Sequence, residues 1–354
     1  MANIFIGSTG DSAGQSLTAW ALGKMLMEKG LTVGFLKPFG THPASIDGNW
    51  ADKDAILFKE LFNLAEPLDA ICPYPASDEE WRTNSPDEIQ AEIKRLSAGL
   101  SENKDILIIL GSQHIFFDNA ALPVPDINLI NDLDADCILL HRYHKNSTSI
   151  YSILSISSLL KNRLKGVIFN RIPPEVIDDV RTGLIPSFEQ RGISITAALP
   201  EDPLLSFLSF KEVIDCLEGE ILCGEDFLDK PIGGMTAGSG DLTGDLMLFK
   251  RAYNKIVLLE PRPSGAENEH TPVQRNVAGI LLTGGRGPVH KVIETARNCR
   301  VPLVLVKQDT FASLERLEKI TPSLSPEDHL KISRYREMMD AENAMNRLLE
   351  SLNP

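Results

Sequence analysis

Ten residues near the N-terminus carry the strongest chemical signal in this chain. Gly7-Ser8-Thr9-Gly10-Asp11-Ser12-Ala13-Gly14-Gln15-Ser16 follow a short apolar run, Asn3 to Ile6, and precede a helical pattern in which Leu17, Trp20, Ala21 and Met25 share a face. A turn of this kind between a strand and a helix gathers backbone N–H groups at the positive end of the helix, the arrangement that holds phosphate. Against the pattern G-x-x-x-x-G-K-[ST], Gly14 and Ser16 fit, while Thr9 replaces the first glycine and Gln15 the lysine. The spelling alone leaves a nucleotide pocket and a purely structural turn equally open. Lysine at this position sets a fixed positive charge against the phosphates and the charge of the transition state, whereas Gln15 offers a neutral hydrogen bond. That exchange costs on the order of 1–2 kcal/mol of phosphate affinity and more of the transition state, so binding is expected to outlast turnover.

Other chemically capable residues are scattered. His141, Arg142 and His144 follow a predicted strand, Asp136 to Leu140, at the carboxyl end where α/β sheets place ligands. With no serine or cysteine nucleophile visibly paired with them, they read as a solvated polar loop. His114 and Asp118 have the residue types of a relay and nothing further. Gly284, Gly285 and Gly287 around Arg286 fit an anion-binding nest and fit a tight strand-to-helix turn equally well. Lys24 is the nearest cation that could replace the missing lysine, but it lies more than two helical turns from the loop.

The elements that must position these residues alternate along the chain. The first βαβ unit ends with Gly30 at a helix C-terminus and strand Leu31 to Leu36. Ser85-Pro86-Asp87-Glu88 opens a capped helix carrying Ile89, Ile93, Leu96 and Leu100, and strand Asp105 to Leu110 follows. Helix Thr148 to Lys161, strand Lys165 to Phe169, helix Pro173 to Gln190 and strand Ile193 to Ala198 complete a doubly wound, mostly parallel α/β domain over 1–205.

Beyond it the pattern predicts a smaller α/β domain over 206–322. Its elements are helix Ser209 to Leu217, strand Glu220 to Cys223, helix Leu246 to Ala252, strand Lys255 to Leu259, strand Val277 to Leu282, helix Val289 to Cys299, strand Val301 to Val306 and helix Phe311 to Ile320. The glycine-rich run Lys230 to Gly244 is expected to form no long regular element. A terminal helix over 323–354 carries Ile332, Tyr335, Met339, Met345 and Leu349, and is expected to dock on the second domain.

Composition narrows the function classes. In 354 residues, 43% hydrophobic and 24% charged, there is enough apolar material for real cores and no disordered or collagen-like bias. Lys+Arg 35 against Asp+Glu 49 gives a formal charge of −14, which makes nucleic acid a poor partner. Cys72, Cys137, Cys216, Cys223 and Cys299 form no metal-binding spacing and fit reduced thiols, so a cytoplasmic protein without export signal or membrane span is expected.

Taken in order, several segments resemble a known family, the dethiobiotin-synthetase-like P-loop proteins, in the version fused to a DRTGG domain and found at the N-terminus of long phosphotransacetylases. The segments are Ser8 to Ser16, Val33 to Pro38 with its Lys37-Pro38, Asp52-Lys53-Asp54-Ala55, Gly166 to Pro173 and Leu199-Pro200-Glu201-Asp202. In the second half, Leu217 to Asp229, Leu281 to Gly285 and Val301 to Glu315 are similar to the DRTGG domain.

The resemblance implies that Thr9, Gly10, Asp11, Ser12, Ala13, Gly14, Gln15, Ser16 and Leu17 hold the phosphates of ATP or another adenine nucleotide. It implies Asn170 on the adenine edge, Pro200 beside the base, Lys37 as a catalytic residue at the active-site mouth, and Ser16 and Asp54 near magnesium. The family completes that metal site with Asp-x-x-x-x-Glu-Gly, where this chain reads Asp105 to Gly111 with Leu110 in the acidic position, so the magnesium site is expected to be incomplete.

With no transferase domain expected beyond Pro354, these readings imply a regulatory or accessory protein, a homodimer, whose partner is an enzyme of acetyl-phosphate or acetyl-CoA metabolism. The rival readings are an ATP-dependent synthetase or ligase, and a scaffold that binds nothing in the loop.

Overall fold

The computed structural model describes residues 2–46, 49–76, 84–112, 114–116, 124–228, 231–232, 234–240, 255–261, 277–288, 290–318, 320 and 323–352. The chain divides into two compact units, Met1–Asp202 with Leu324–Pro354, and Pro203–Ser323. The expected helix Leu246 to Ala252, as well as Asp118, lies outside the described residues.

The first unit is built on β1 (Ala2–Ser8), α1 (Gln15–Glu28), β2 (Val33–Leu36), the hairpin β3 (Pro43–Ile46) and β4 (Asn49–Asp52), α2 (Lys53–Leu61), α3 (Leu68–Ile71), α4 (Pro86–Leu100), β5 (Ile106–Leu110), α5 (Asp126–Asp132), β6 (Asp136–Arg142), α6 (Asn146–Leu160), β7 (Leu164–Ile172) and β8 (Ile195–Pro200). Six strands form one parallel sheet in the order β2-β5-β1-β6-β7-β8. Ile4, Phe5, Ile6, Ile108, Ile109, Ile138 and Leu139 are wholly buried, the continuous apolar run of strands covered on both faces. The carboxyl end of β1 therefore lies between β5 and β6, where the phosphate-loop candidate emerges.

Two expectations about this unit need correction. Pro173 to Gln190 is not one helix but a 3-10 turn at Pro174–Val176, a short α segment at Ile177–Asp179, a π turn at Val180–Leu184 and an α segment at Ile185–Glu189. Pro186 lacks the N–H that a regular helix needs there, and the widened turn just before it absorbs the fault.

The C-terminal segment is also not one helix on the second domain. It forms α10 (His329–Ala341) and α11 (Ala344–Leu352), both part of the first unit. Tyr335 is fully buried with its hydroxyl 2.6 Å from Thr18 Oγ1, and Arg336 grips Glu28 through two bonds of 2.9 Å. Leu17, Ala19, Trp20, Ala21, Leu22 and Leu26 are all buried, so α1 is covered nearly all round rather than along one stripe.

The second unit holds β9 (Leu208–Ser209), α7 (Phe210–Leu217), β10 (Glu220–Cys223), β11 (Pro231–Ile232), β12 (Gly234–Gly240), β13 (Lys255–Pro261), β14 (Val277–Leu282), α8 (His290–Asn298), β15 (Leu303–Leu305) and α9 (Thr310–Glu318). Its main sheet runs β10-β15-β14-β13-β12, with β10 antiparallel and the other four parallel. The run expected to hold no long element thus contains the seven-residue strand β12, which pairs along its whole length with β13. Pairing through the main chain needs no side chains, which is why a glycine-rich segment can serve.

Ser209 and Glu212 form a reciprocal cap that starts α7. Phe210, Val213, Ile214 and Leu217 then pack with Ala278, Leu281, Val304 and Leu317. The opposite face joins Ile280, Leu282 and Leu303 to Ala296.

Candidate functional site

Between β1 and α1 the chain turns through two left-handed residues, Ser12 (φ 52°) and Gly14 (φ 100°). A β-carbon at Gly14 would stand 2.6 Å from Asn170 Nδ2, so glycine is required for space as well as for φ. Asn170, at the carboxyl end of β7, is 5% exposed; its Nδ2 donates to Ala13 O at 2.8 Å and its Oδ1 accepts from Arg171 N at 2.8 Å. Its carboxamide thereby braces the loop from the side.

A second brace comes from β6. Thr9 N donates to Leu140 O at 3.0 Å, and Thr9 Oγ1 lies 2.8 Å from His141 Nδ1. Ser149 Oγ donates to Lys145 O at 3.1 Å and lies 2.8 Å from His141 Nε2, so the network assigns the ring proton to Nε2 and leaves Nδ1 to accept from Thr9. His141 is 1% exposed, not part of a solvated loop as its sequence suggested, and burial holds its pKa down at about 4. The imidazole is therefore a neutral strut.

Gln15 faces inward. Its Nε2 shares two N–H groups among Ile6 O at 3.2 Å, Gly111 O at 3.4 Å and Ser112 O at 3.0 Å, tying the start of α1 to the ends of β1 and β5. Ser112 N and Oγ donate in turn to Asp126 Oδ2 at 2.8 and 3.0 Å. Burial pushes the Asp126 carboxyl up to about 7, with the Ser112 donors only partly opposing it. Leu110, in the position where an acid was expected, is 2% exposed within the sheet.

The charged centre lies beside the first turn of α1. Ser16 Oγ donates to Asp54 Oδ1 at 2.9 Å, and Lys37 Nζ meets Asp54 Oδ2 at 2.5 Å and Asp52 Oδ1 at 2.9 Å. Asp52 also caps α2 and accepts from Thr41 N and His42 N, so one carboxylate fixes three chain segments. Lys37, 2% exposed, is buried rather than presented at a mouth. Burial works against its charge, but Asp54 and Asp52 outweigh burial and hold its pKa above the usual lysine value. Burial likewise opposes ionisation of Asp54, and Lys37 overcomes it, holding that carboxyl below its usual range.

Most of the sequence-derived candidates therefore converge. Thr9 to Leu17, Asn170 and the Ser16, Asp54 and Lys37 group surround the carboxyl end of β1, and Pro200 ends β8 at the same edge of the sheet, paired across to Ile172. Asp52, His141, Ser149, Ser112 and Asp126 are the members that sequence reasoning missed as site residues. Asp52 had a visible signal, a helix-capping aspartate two positions before another acid.

The loop fits a phosphate group. Among the described residues, the backbone N–H groups of Asp11 through Leu17 have no partner, and no side chain caps the helix start. Magnesium would meet fewer free ligands here: both oxygens of Asp54 are engaged by Ser16 and Lys37, and Leu110 supplies none.

A parallel sheet with a glycine-turned anion loop at the end of its first strand defines a P-loop type of α/β nucleotide fold. By sequence, residues 2–208 match the family model described as AAA domain, and the chain belongs to that family; residues 212–320 match the DRTGG domain. The chain is 24% identical to the phosphate acetyltransferase of Synechocystis over 98% of its own length and 52% of that protein. It is 27% identical to the ATP-dependent dethiobiotin synthetase of Methanocaldococcus jannaschii over 48% of this chain and 79% of that one. The MinD cell division protein of Aquifex aeolicus aligns in structure with a TM-score of 0.37 at 16% identity, covering 58% of this chain and 84% of that one. The chain spans about half the length of the phosphate acetyltransferases it matches. No helix among the described residues is long and apolar enough to cross a membrane.

Proposed function

We propose that this chain is a nucleotide-responsive regulatory or accessory module that binds ATP or another adenine nucleotide at residues 9–17 and hydrolyses it inefficiently. The observation that carries this reading is the position of Gln15. Its amide is committed to three carbonyls of the sheet, so the loop keeps its shape and its row of N–H donors while position 15 itself directs no cation at the phosphates. Phosphate binding draws on those donors; phosphoryl transfer needs a charge that position 15 does not supply. The kinship with phosphate acetyltransferases supports an enzyme of acetyl-phosphate or acetyl-CoA metabolism as the partner.

Calorimetric titration with ATP, ADP and a non-hydrolysable ATP analogue, with and without magnesium, tests the reading. Micromolar binding that does not require magnesium, with negligible phosphate release, is the expected result. Magnesium-dependent turnover would instead identify a synthetase or ligase, and absence of nucleotide binding would leave a scaffold. Gln15→Lys is expected to raise ATP affinity by roughly tenfold, as a charge-assisted phosphate contact is added at a position whose glutamine is turned to the sheet.

A further inference from the structure

Two arginines stand beside the loop and take no part in the frame that holds it. Tyr143 N donates to Asn170 O at 2.9 Å, and Arg142 lies opposite Asn170 in the register of β6 and β7. The ends of the two strands therefore reach the same level. From there Arg142 Nη1 donates to Asp11 O at 3.4 Å, a long bond that leaves most of the guanidinium unengaged. Asp11 N opens the row of unpartnered donors that runs to Leu17, so the guanidinium meets the loop at the first residue of that row.

Arg171, the residue after Asn170, breaks the register of β7 with β8 and takes left-handed backbone, φ 54°, uncommon for a residue with a β-carbon. Asn170 Oδ1 accepts its N–H at 2.8 Å. The carboxamide that braces the loop at Ala13 thus also fixes the backbone of Arg171.

The charges of these two residues are unanswered within the chain. With a formal charge of −14 acids are plentiful, and Arg163, Arg181, Arg334 and Arg336 of the same unit each pair with a carboxylate. Among the described residues Arg142 has only its long bond to Asp11 O, and the Arg171 side chain has no hydrogen bond or ion pair. Both are half-buried. Burial lowers the Arg171 pKa, the charge of Arg142 lowers it further, and Glu201, beyond ion-pair distance, opposes them only in part. Two like charges held near each other, part-way out of water and with no acid between them, are costly for the folded chain, and an anion removes that cost.

We propose that Arg142, seconded by Arg171, binds the phosphates of the nucleotide held at residues 9–17 and makes the site prefer a nucleoside triphosphate to a monophosphate. The inference rests on the reading of those residues as a nucleotide site. A phosphate oxygen on the loop N–H groups replaces Asp11 O as the acceptor, and a neutral, long bond becomes a charge-assisted one in the fork geometry that arginine offers. Each further phosphate adds negative charge for the pair of cations to meet. A contact made equally to the bound nucleotide and to its transition state raises affinity without speeding transfer, so slow hydrolysis stands beside it.

The test is titration of the full chain with ATP, ADP and AMP in wild type, Arg142→Ala, Arg142→Lys and Arg142→Ala/Arg171→Ala, with Gly14→Ala as the loop variant. Asn170→Ala takes its place if Gly14→Ala does not fold. The expected result is ATP affinity that falls about tenfold in Arg142→Ala, falls further in the double variant and recovers in part in Arg142→Lys, while AMP affinity changes less than threefold. The dependence of ATP affinity on salt should also weaken in the double variant, as fewer charges are paired. ATP affinity unchanged in Arg142→Ala would overturn the proposal, and so would equal losses for ATP and AMP, which would make Arg142 a brace on the loop. Failure of the loop reading looks different: wild type that binds no ATP, or ATP binding that Gly14→Ala leaves unaltered, removes that reading and this proposal together. ATP binding that Gly14→Ala weakens and Arg142→Ala does not removes this proposal alone.

Discussion

At the carboxyl end of β1, Gln15, Asn170, His141 and Lys37 are all committed to partners within the chain; at the carboxyl ends of β14 and β15, Arg286, Lys307 and Phe311 are exposed and Gln308 Oε1 and Ser313 Oγ lack partners. Both places have the same architectural ingredients, a glycine turn at the end of a parallel strand with a helix start nearby. They differ in where their polar groups are satisfied. In the first unit, side chains build a stiff frame around the loop, and the recognition proposed there falls to the backbone N–H groups of residues 11–17 and to Arg142. In the second, the backbone N–H groups of Gly284 and Gly285 are used to join two turns, and the side chains remain available. The same fold logic thus yields one turn whose polar side chains are tied into a frame and one whose side chains are left exposed.

Four experiments bear on that contrast. The largest effect is expected from Lys37→Met, which leaves Asp52 and Asp54 buried without their cation; a loss of about 3–5 kcal/mol in denaturant unfolding is anticipated. Adding Asp54→Asn to Lys37→Met should recover part of it, because one of the two uncompensated charges is removed. A loss as small as that of a surface variant would mean that the frame is not pre-assembled.

Asn170→Ala orphans Ala13 O and is expected to cost roughly 1–3 kcal/mol. Its nucleotide affinity should fall as well, since the brace on the loop is gone; unchanged affinity with lowered stability would separate frame from recognition.

The pH dependence of stability should change shape in Asp126→Asn. The folded-state pKa of Asp126 is raised to about 7, so between about pH 4 and that value the folded chain holds a proton that the unfolded chain has released. On this account stability falls as pH rises through that window. His141, lowered to about 4, acts in the opposite sense: the unfolded chain takes up its proton first, and stability rises from about pH 4 to about 6.5. Removing the Asp126 ionisation should leave the rising limb alone, seen in melting curves from pH 4 to 8.

The smallest effect on stability belongs to Arg286→Ala/Lys307→Ala, within about 0.5 kcal/mol, as for surface side chains with no partner. A larger loss would show that those cations already hold the turn together.

Much of the fold was legible because its signals are local. The runs Asn3 to Ile6 and Asp105 to Leu110, the Ser85 and Ser209 caps and the glycine-marked loop each declare an element within a few residues. The candidate site was legible as a place, since a strand, a glycine turn and a helix converge on it whatever the partners. Its internal wiring was not. Gln15 reads as a weakened phosphate ligand until its partners 9, 96 and 97 positions away are known, and His141 reads as a loop residue until Thr9 and Ser149 bury it.

The sequence by itself determined the strand and helix order, the phosphate-loop register and the lysine-to-glutamine exchange, because periodicity, caps and glycine positions act over one or two turns. Only the tertiary structure decided that Lys37 is buried between Asp52 and Asp54, that Gln15 faces the sheet, and that the terminal helices close over α1 through Tyr335 and Thr18, 317 positions apart. Those outcomes rest on polar groups finding buried partners far along the chain, and the local pattern of residues carries no record of which partner each will meet.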